Sequence, residues 1–110
     1  MTAGSILQEG LSSAQLVDQL RGLRPVLSKL GVSGLALFGS RARGDNREDS
    51  DVDLIVDVDG VRKFSLLDLI GVEHAIADRI GLPVSVFLRR SLDAGIAESA
   101  RREEMVIFRD

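Results

Sequence analysis

Two aspartates one residue apart, Asp51 and Asp53, are the side chains in this sequence with the clearest capacity for chemistry. Val52, Leu54, Val56 and Val58 alternate with Asp51, Asp53, Ile55 and Asp57, and this period of two predicts a β-strand with one apolar face. On such a strand both carboxylates emerge on the same face, about 6.6 Å apart along the backbone. Two carboxylates this close repel each other and favour a cation between them. Mg²⁺ suits the site, because it binds few carboxylates and completes its shell with phosphate oxygens.

A glycine and a serine, Gly39 and Ser40, follow the apolar run from Gly34 to Phe38. The run predicts a buried strand that ends in a turn. Gly39 lets the backbone approach a ligand closely, and Ser40 adds a hydroxyl beside N–H groups where a short helix could begin. Such a turn can hold a phosphate. Together with the two aspartates, it predicts a site for a nucleoside triphosphate and its Mg²⁺.

Arginines follow the turn, and two of them, Arg41 and Arg43, are close enough in sequence to contact the phosphates. The same loop contains acidic partners that compete for these arginines: Asp45, Glu48 and Asp49. For Arg47, an ion pair in a solvated loop is at least as good an interpretation as a phosphate contact. Phosphate binding and loop pairing therefore both stay open for Arg41 and Arg43.

The turn and the aspartates belong to one string whose spacing is specific. Alone, a Gly-Ser turn or an Asp-x-Asp pair is usually structural, but Asp is depleted in strands and a same-face pair there calls for a reason. The string runs Gly39-Ser40-Arg41-Ala42-Arg43-Gly44, and ten residues, Arg41 to Ser50, separate Gly-Ser from Asp51-Val52-Asp53. This pattern resembles the signature of the minimal nucleotidyltransferase (MNT) branch of the DNA polymerase beta superfamily.

The resemblance implies a polymerase beta-like nucleotidyltransferase fold in which Gly39 and Ser40 would hold the triphosphate of ATP. Asp51 and Asp53 would coordinate Mg²⁺, the α-phosphorus would be attacked, and pyrophosphate would leave. Small stand-alone members are commonly antitoxins encoded beside a HEPN-domain toxin, and some transfer AMP from ATP to a tyrosine of that toxin. The predicted protein is therefore an MNT-type antitoxin that forms a hetero-oligomer with a HEPN toxin.

One position departs from the family pattern. Members of the superfamily commonly carry a third carboxylate on the next strand, where this sequence has Ser85. A neutral hydroxyl is a poor general base, and loss of a general base typically costs about 10²- to 10⁴-fold in rate. Asp57 lies about 13 Å along the strand from Asp53, too far to replace the missing group, and the position of Asp93 cannot be judged from sequence.

Ser85 keeps a second function open, in which the chain binds a nucleotide but neutralises its partner by binding alone. A third interpretation is transfer to a diffusible acceptor such as an aminoglycoside. Larger relatives that do this carry an added substrate domain, for which this chain has little room.

The elements that must position these residues can be predicted from periodicity. Ser12 opens a capping box with Gln15, and an amphipathic helix follows to about Gly31, with a kink or a break at Pro25. The other predicted elements are a helix from Phe64 to Ile80, a strand from Val84 to Leu88, a short helix from a Ser91 cap to about Arg102, and an edge strand from Met105 to Phe108. This order predicts an α+β fold, a small mixed β-sheet with helices packed on it. We expect one domain, residues 1–110, with a core at about 31–90.

Composition restricts the class of protein. The 110 residues carry 14 Lys and Arg against 17 Asp and Glu, and contain no Cys, Trp or Tyr. A net charge of -3 and four Phe speak against extended nucleic-acid binding. The absence of Cys excludes disulfides and thiolate metal sites. The sequence also shows neither a signal-like start nor a membrane-length apolar stretch, so we expect a cytoplasmic protein.

Overall fold

A four-stranded mixed sheet forms the centre of the computed structural model, which describes residues 12–47, 49–60 and 63–110. The strands are β1 (Val32–Phe38), β2 (Val52–Val58), β3 (Val84–Leu88) and β4 (Met105–Arg109). Their order across the sheet is β3-β2-β1-β4. β1 pairs antiparallel with β2 and with β4, whereas β2 and β3 are parallel. The predicted α+β fold with a small mixed sheet is confirmed.

The N-terminal helical segment is two helices, α1 (Ser13–Gly22) and α2 (Arg24–Lys29). The predicted capping box is present, with Ser12 and Gln15 each accepting a hydrogen bond from the other's backbone N–H. Pro25 lies in the first turn of α2. A proline there removes a donor that has no partner inside the helix anyway, so the chain restarts a helix at this point rather than bending one. Of the two alternatives predicted at Pro25, a kink or a break, the structure has the break.

The longest helix, α4 (Leu66–Ile80), crosses one face of the sheet and ends at Gly81, whose φ of 70° is left-handed. It begins two residues later than predicted, because Ser65 is its cap and exchanges hydrogen bonds with Asp68. Its apolar stripe joins α1 and the helix-facing side of the sheet in one buried cluster. The fully buried members of this cluster include Leu20, Leu27, Leu37, Val52, Leu54, Val56, Val72 and Ile76.

After β3, a 3-10 turn at Arg89–Ser91 leads to α5 (Ala94–Glu103). Asp93 caps this helix by accepting a hydrogen bond from the backbone N–H of Ile96, so the predicted cap at Ser91 is wrong. The physical reason is that Ser91 is still part of the 3-10 turn, and the chain becomes extended again only at Leu92. The predicted edge strand is confirmed, since β4 is the last strand beside β1.

The two faces of the sheet have different characters. Val52, Leu54 and Val56 point to the helices, so side chains of the opposite parity on β2, among them Asp53, point to the other face.

No helix among residues 12–47, 49–60 and 63–110 is long and apolar enough to cross a membrane.

Candidate active site

The predicted phosphate turn and the predicted metal-binding strand meet at one end of the sheet. Phe38, the last residue of β1, is the register partner of Asp53 on β2. Gly39 follows directly and so lies against the Asp53 side chain. A Cβ atom built on Gly39 would be only 2.6 Å from Asp53 Oδ2. The carboxylate thus occupies the space that a side chain at position 39 would need.

Backbone conformation is a second reason for a glycine at position 39. Its φ of 75° and ψ of −154° lie where residues with a Cβ are strained. This conformation turns the chain from β1 into α3 (Ser40–Arg43), a single helical turn that ends at Gly44. The carbonyl of Gly39 accepts hydrogen bonds from the backbone N–H groups of Ala42 and Arg43, both at 3.1 Å. The short helix that the sequence allowed after Gly39 is therefore present, and its first turn carries Ser40.

The two aspartates differ in environment. Asp53 is half-buried within β2, whereas Asp51 is exposed and lies one residue before the strand begins. Burial raises the pKa of the Asp53 carboxyl above its ordinary value, and the nearby negative charge of Asp51 raises that pKa further. The charge of Asp51 is therefore close enough to disfavour ionisation of Asp53, as the strand geometry predicted.

Ser85 is the register partner of Asp53 on the neighbouring parallel strand. It is half-buried and follows Val84, the first residue of β3. Position 85 is thus directly beside the Asp53 carboxylate, where the family pattern has its third carboxylate. A hydroxyl stands where a third carboxylate would complete the cluster. Within the described part of the chain, no group of three or more His, Asp or Glu is arranged to hold a metal ion.

Other acidic residues considered from sequence are occupied elsewhere. Asp57, further along β2, accepts a hydrogen bond from Arg89 Nε at 2.8 Å. Asp93 is the cap of α5.

The two arginines of the turn make contacts within the protein. Arg41 is buried, with only 5% of its surface exposed. Its Nε and Nη2 donate hydrogen bonds to the carbonyl of Ser50 at 3.1 and 2.9 Å. It thereby fastens the start of the loop to the residue before Asp51. Arg43 is exposed and pairs with Asp45 at 3.2 Å and with Glu103 of α5 at 3.7 Å. A phosphate contact for either arginine stays a prediction.

An aromatic pair beside the carboxylate was not identified from the sequence. The rings of Phe38 and Phe87 meet edge to face, with centroids 5.6 Å apart and planes at 72°. Phe87 lies two residues after Ser85 on β3, so its side chain is on the same face as those of Ser85 and Asp53. The alternation of β3 could have placed Phe87 on this face, but only the sheet order brings it to Phe38.

The donor set fits Mg²⁺ bound together with a triphosphate. Asp51 and Asp53 repel each other, and the hydroxyl of Ser85 adjoins Asp53. These groups supply oxygen ligands, but too few to fill the coordination shell of Mg²⁺. Oxygens of a bound triphosphate, held by the turn after Gly39, would supply others. Asp51 and Asp53 are the residues that would hold the ion.

Comparison with known proteins identifies the family and the fold of the chain. The nucleotidyltransferase domain family matches residues 20–107. Protein adenylyltransferase MntA of Thermococcus cleftensis is 38% identical over 79 residues, which are 72% of this chain and 78% of that protein. A solved structure described as a candidate minimal nucleotidyltransferase is 29% identical, with a TM-score of 0.75 over 86% of this chain and 95% of that chain.

More distant solved structures share the fold. A crystal structure of a toxin-antitoxin with AMP-PNP has a TM-score of 0.66 over 91% of this chain and 75% of that chain, at 17% identity. A complex of a tri-AMPylated Shewanella oneidensis HEPN toxin with its MNT antitoxin also has a TM-score of 0.66, over 90% of this chain and 74% of that chain, at 13% identity.

The match of the nucleotidyltransferase domain family and the shared fold place this chain in the class of nucleotidyl-transferring enzymes. This chain belongs to the nucleotidyltransferase domain family. The resemblance drawn from Gly39 to Asp53 is confirmed, including its MNT type. The enzymatic interpretation is confirmed at the level of this family, while the role of each site residue stays a prediction.

Proposed function

We propose that this protein is an MNT-type antitoxin that transfers AMP from ATP to a hydroxyl of a HEPN-family toxin, with Mg²⁺ as cofactor. The observation that carries the proposal is the contact between the Gly39 turn and the Asp53 carboxylate. In the proposal the Gly39 turn binds the phosphates and the Asp53 side chain binds the metal, and the contact supports this because it joins the two groups. The name of the Thermococcus relative, a protein adenylyltransferase, supports the reaction. The HEPN complex among the structural neighbours supports the partner.

In the proposed reaction the acceptor oxygen forms a bond to the α-phosphorus of ATP. The bond from that phosphorus to the bridging oxygen breaks, and pyrophosphate leaves. Gly39 and Ser40 hold the departing phosphates with backbone N–H groups and a hydroxyl. Asp51 and Asp53 would hold Mg²⁺, which would supply positive charge against the phosphate oxygens. The acceptor's proton passes to water, since the neighbouring position carries the hydroxyl of Ser85 instead of a carboxylate.

The helix α4 supports a protein partner. Leu66 and Leu67 at its start are 72% and 79% exposed, and Ile70 is 40% exposed. A cluster of large apolar side chains in water is typical of a surface that another protein covers. We therefore expect a hetero-oligomer with the toxin, working in the cytoplasm where ATP is available.

The test is incubation of the protein with its cognate toxin, Mg²⁺ and ATP labelled at the α-phosphate. We expect label on the toxin, and none with the double variant Asp51→Ala, Asp53→Ala. A matched control is Asp18→Asn with Asp78→Asn, which removes two exposed carboxylates from α1 and α4 and should leave labelling intact. Absence of label with the wild-type pair would contradict the proposal.

A second function rests on Ser85, whose hydroxyl stands beside Asp53 where a third carboxylate would aid the chemistry. In that function the protein neutralises the toxin by binding alone. Co-expression separates the two: rescue of growth by the double variant Asp51→Ala, Asp53→Ala favours occlusion, and loss of rescue with the complex still formed favours transfer. Co-purification with the toxin shows whether the complex forms.

A further inference from the structure

A cleft of about 390 Å³ lies between Phe38 and one face of α5. Its walls include Ile96, Ser99, Ala100 and Glu103, which recur at helical spacing and therefore form one stripe of α5. Sites for small molecules commonly have volumes of roughly 300 to 1,000 Å³. The cleft is thus large enough for part of a ligand the size of a nucleotide.

The cleft adjoins the candidate active site on the side of β1. Phe38, which forms one wall, immediately precedes Gly39 and is the register partner of Asp53. The opposite wall is joined to the phosphate turn by the ion pair between Glu103 and Arg43, at 3.7 Å. A ligand held at Gly39 and Asp53 can therefore extend into the cleft without leaving the protein surface.

The chemistry of the walls fits a nucleoside. The Phe38 ring packs edge to face with the Phe87 ring and forms part of the cleft wall, so it offers an aromatic surface to a base. Ile96 offers an apolar side chain that is 54% exposed. Ser99 and Glu103 add a hydroxyl and a carboxylate, which can hydrogen-bond the polar edge of a base or the hydroxyls of a ribose.

The direction of the reaction also favours this cleft. In the proposed transfer, the pyrophosphate leaves towards the Gly39 turn, and the acceptor approaches from β3, where Ser85 adjoins Asp53. The nucleoside is attached to the same phosphorus and must extend in a third direction. The cleft walled by Phe38 and α5 lies on the β1 side of Asp53, away from Ser85 on β3.

We propose that the cleft between Phe38 and α5 binds the base and ribose of the donor nucleotide. The proposal rests on the proposed function, since it assumes that the triphosphate lies at Gly39 and Ser40. Phe38 is then a residue that contacts the substrate, and the Ile96–Glu103 stripe of α5 determines which nucleosides fit.

The test compares two ligands, ATP and inorganic tripolyphosphate, each with Mg²⁺, by titration calorimetry. Ser99→Trp fills the cleft from an exposed position on α5. We expect its affinity for ATP to fall about tenfold, within the range measured for loss of one stacked base, while its affinity for tripolyphosphate stays within about twofold of wild type. Phe38→Leu, which keeps an apolar side chain but removes the ring, should show the same split, and thermal melting confirms that both variants are folded.

The matched control is Ser91→Trp. Ser91 lines a separate cleft of about 380 Å³ beside Phe87 and Leu66, at the edge of the sheet. Filling that cleft should leave both affinities unchanged. The subsite is wrong if Ser99→Trp binds ATP as well as wild type does, if it loses both ligands equally, or if Ser91→Trp alone weakens ATP binding. Failure of the wild type to bind either ligand would instead overturn the proposed function, and the subsite with it.

Discussion

At the scale of single residues, the site depends on one close approach between a backbone and a carboxylate. Gly39 has a left-handed φ of 75°, and its missing Cβ leaves room for Asp53 Oδ2. Asp53 is in turn kept partly away from water and next to a like charge. Both residues are therefore held in arrangements that cost stability, which is common where a fold must present groups to a ligand.

Gly39→Ala should lower the free energy of unfolding by about 1 to 3 kcal/mol, because it adds backbone strain and displaces the Asp53 carboxylate. It should also abolish binding of ATP. Urea denaturation and calorimetry measure the two effects. Gly71→Ala is the matched control: Gly71 is exposed within α4, a Cβ there meets nothing within 4 Å, and helix propensity predicts about 1 kcal/mol of added stability. Equal effects of the two substitutions would contradict the geometry at Gly39.

Asp53→Asn should stabilise the protein at neutral pH in the absence of Mg²⁺. The pKa of Asp53 is raised by folding, so the folded state prefers the protonated acid. In the wild type, the raised pKa of Asp53 contributes to stability at low pH. This contribution is lost as the pH rises from the ordinary carboxyl pKa of 3.8 through the raised value. Melting curves of both proteins in EDTA should diverge across that window and stay apart above it.

The same comparison in the presence of Mg²⁺ and ATP tests the opposite effect, in which the ligand stabilises the charged form of Asp53. Added ligand should raise the melting temperature of the wild type more than that of Asp53→Asn, because the ion favours the charged carboxylate. Asp18→Asn, at an exposed site on α1, should show neither effect. A stability difference between wild type and Asp53→Asn that does not vary with pH would show that the raised pKa is not the cause.

At the scale of elements, the register of the sheet places the side chains of the candidate site. Phe38, Asp53 and Ser85 form one row across β1, β2 and β3. The loop that joins β1 to β2 is fastened by Arg41, whose buried guanidinium donates to the Ser50 carbonyl. The loop therefore returns the chain to Asp51 at a fixed position.

Ser85→Asp should raise the rate of nucleotidyl transfer, by up to about 10²-fold, because it places a third carboxylate beside Asp53. The rate of toxin labelling, with Mg²⁺ titrated to saturation, measures the effect. Ser91→Asp adds the same charge in the exposed 3-10 turn and should leave the rate unchanged. An unchanged rate for Ser85→Asp would mean that position 85 is not the place of the missing group.

Periodicity predicted the elements well, and contacts between elements poorly. β1 follows from a continuous apolar run, β2 from a period of two, and α4 from an apolar stripe with the helical period. The cap of α5 was assigned to Ser91 rather than Asp93, since both are good caps and only the 3-10 turn decides between them. The partner of Arg41 is a backbone carbonyl, which residue type does not reveal. The Phe38 and Phe87 contact depends on the strand order, which lies beyond local pattern.

At the scale of the whole molecule, the sheet carries two opposite kinds of polar cluster. At the start of β2, Asp51 and Asp53 repel each other. In the other cluster, Arg89, which follows β3, donates two hydrogen bonds to Glu104 and one to Asp57, all at 2.8 Å. The side chains of Arg89 and Glu104 are only 10% and 5% exposed. The paired cluster ties the ends of β2 and β3 to the start of β4, and so stabilises the sheet that the unpaired cluster strains.

Arg89→Ala should lower the free energy of unfolding by about 3 to 5 kcal/mol, because it leaves the buried carboxylate of Glu104 without its main partner. The double variant Arg89→Ala, Glu104→Gln should recover part of that loss, since it removes the unpaired charge. Urea denaturation gives both values, and Arg102→Ala, whose side chain is 68% exposed, is the control with little effect. A loss below about 1 kcal/mol for Arg89→Ala would show that the cluster does not hold the sheet together.

The contact between Gly39 and Asp53 also restricts the order in which this site can decay during evolution. While Asp53 is present, its carboxylate blocks any side chain at position 39, so substitution there is removed by selection even in a lineage that no longer needs the reaction. Once Asp53 becomes a smaller residue, the space is free and only the backbone conformation still favours glycine. Inactive descendants should therefore lose the aspartate first and the glycine later, and sequences that keep Asp53 without Gly39 should be rare.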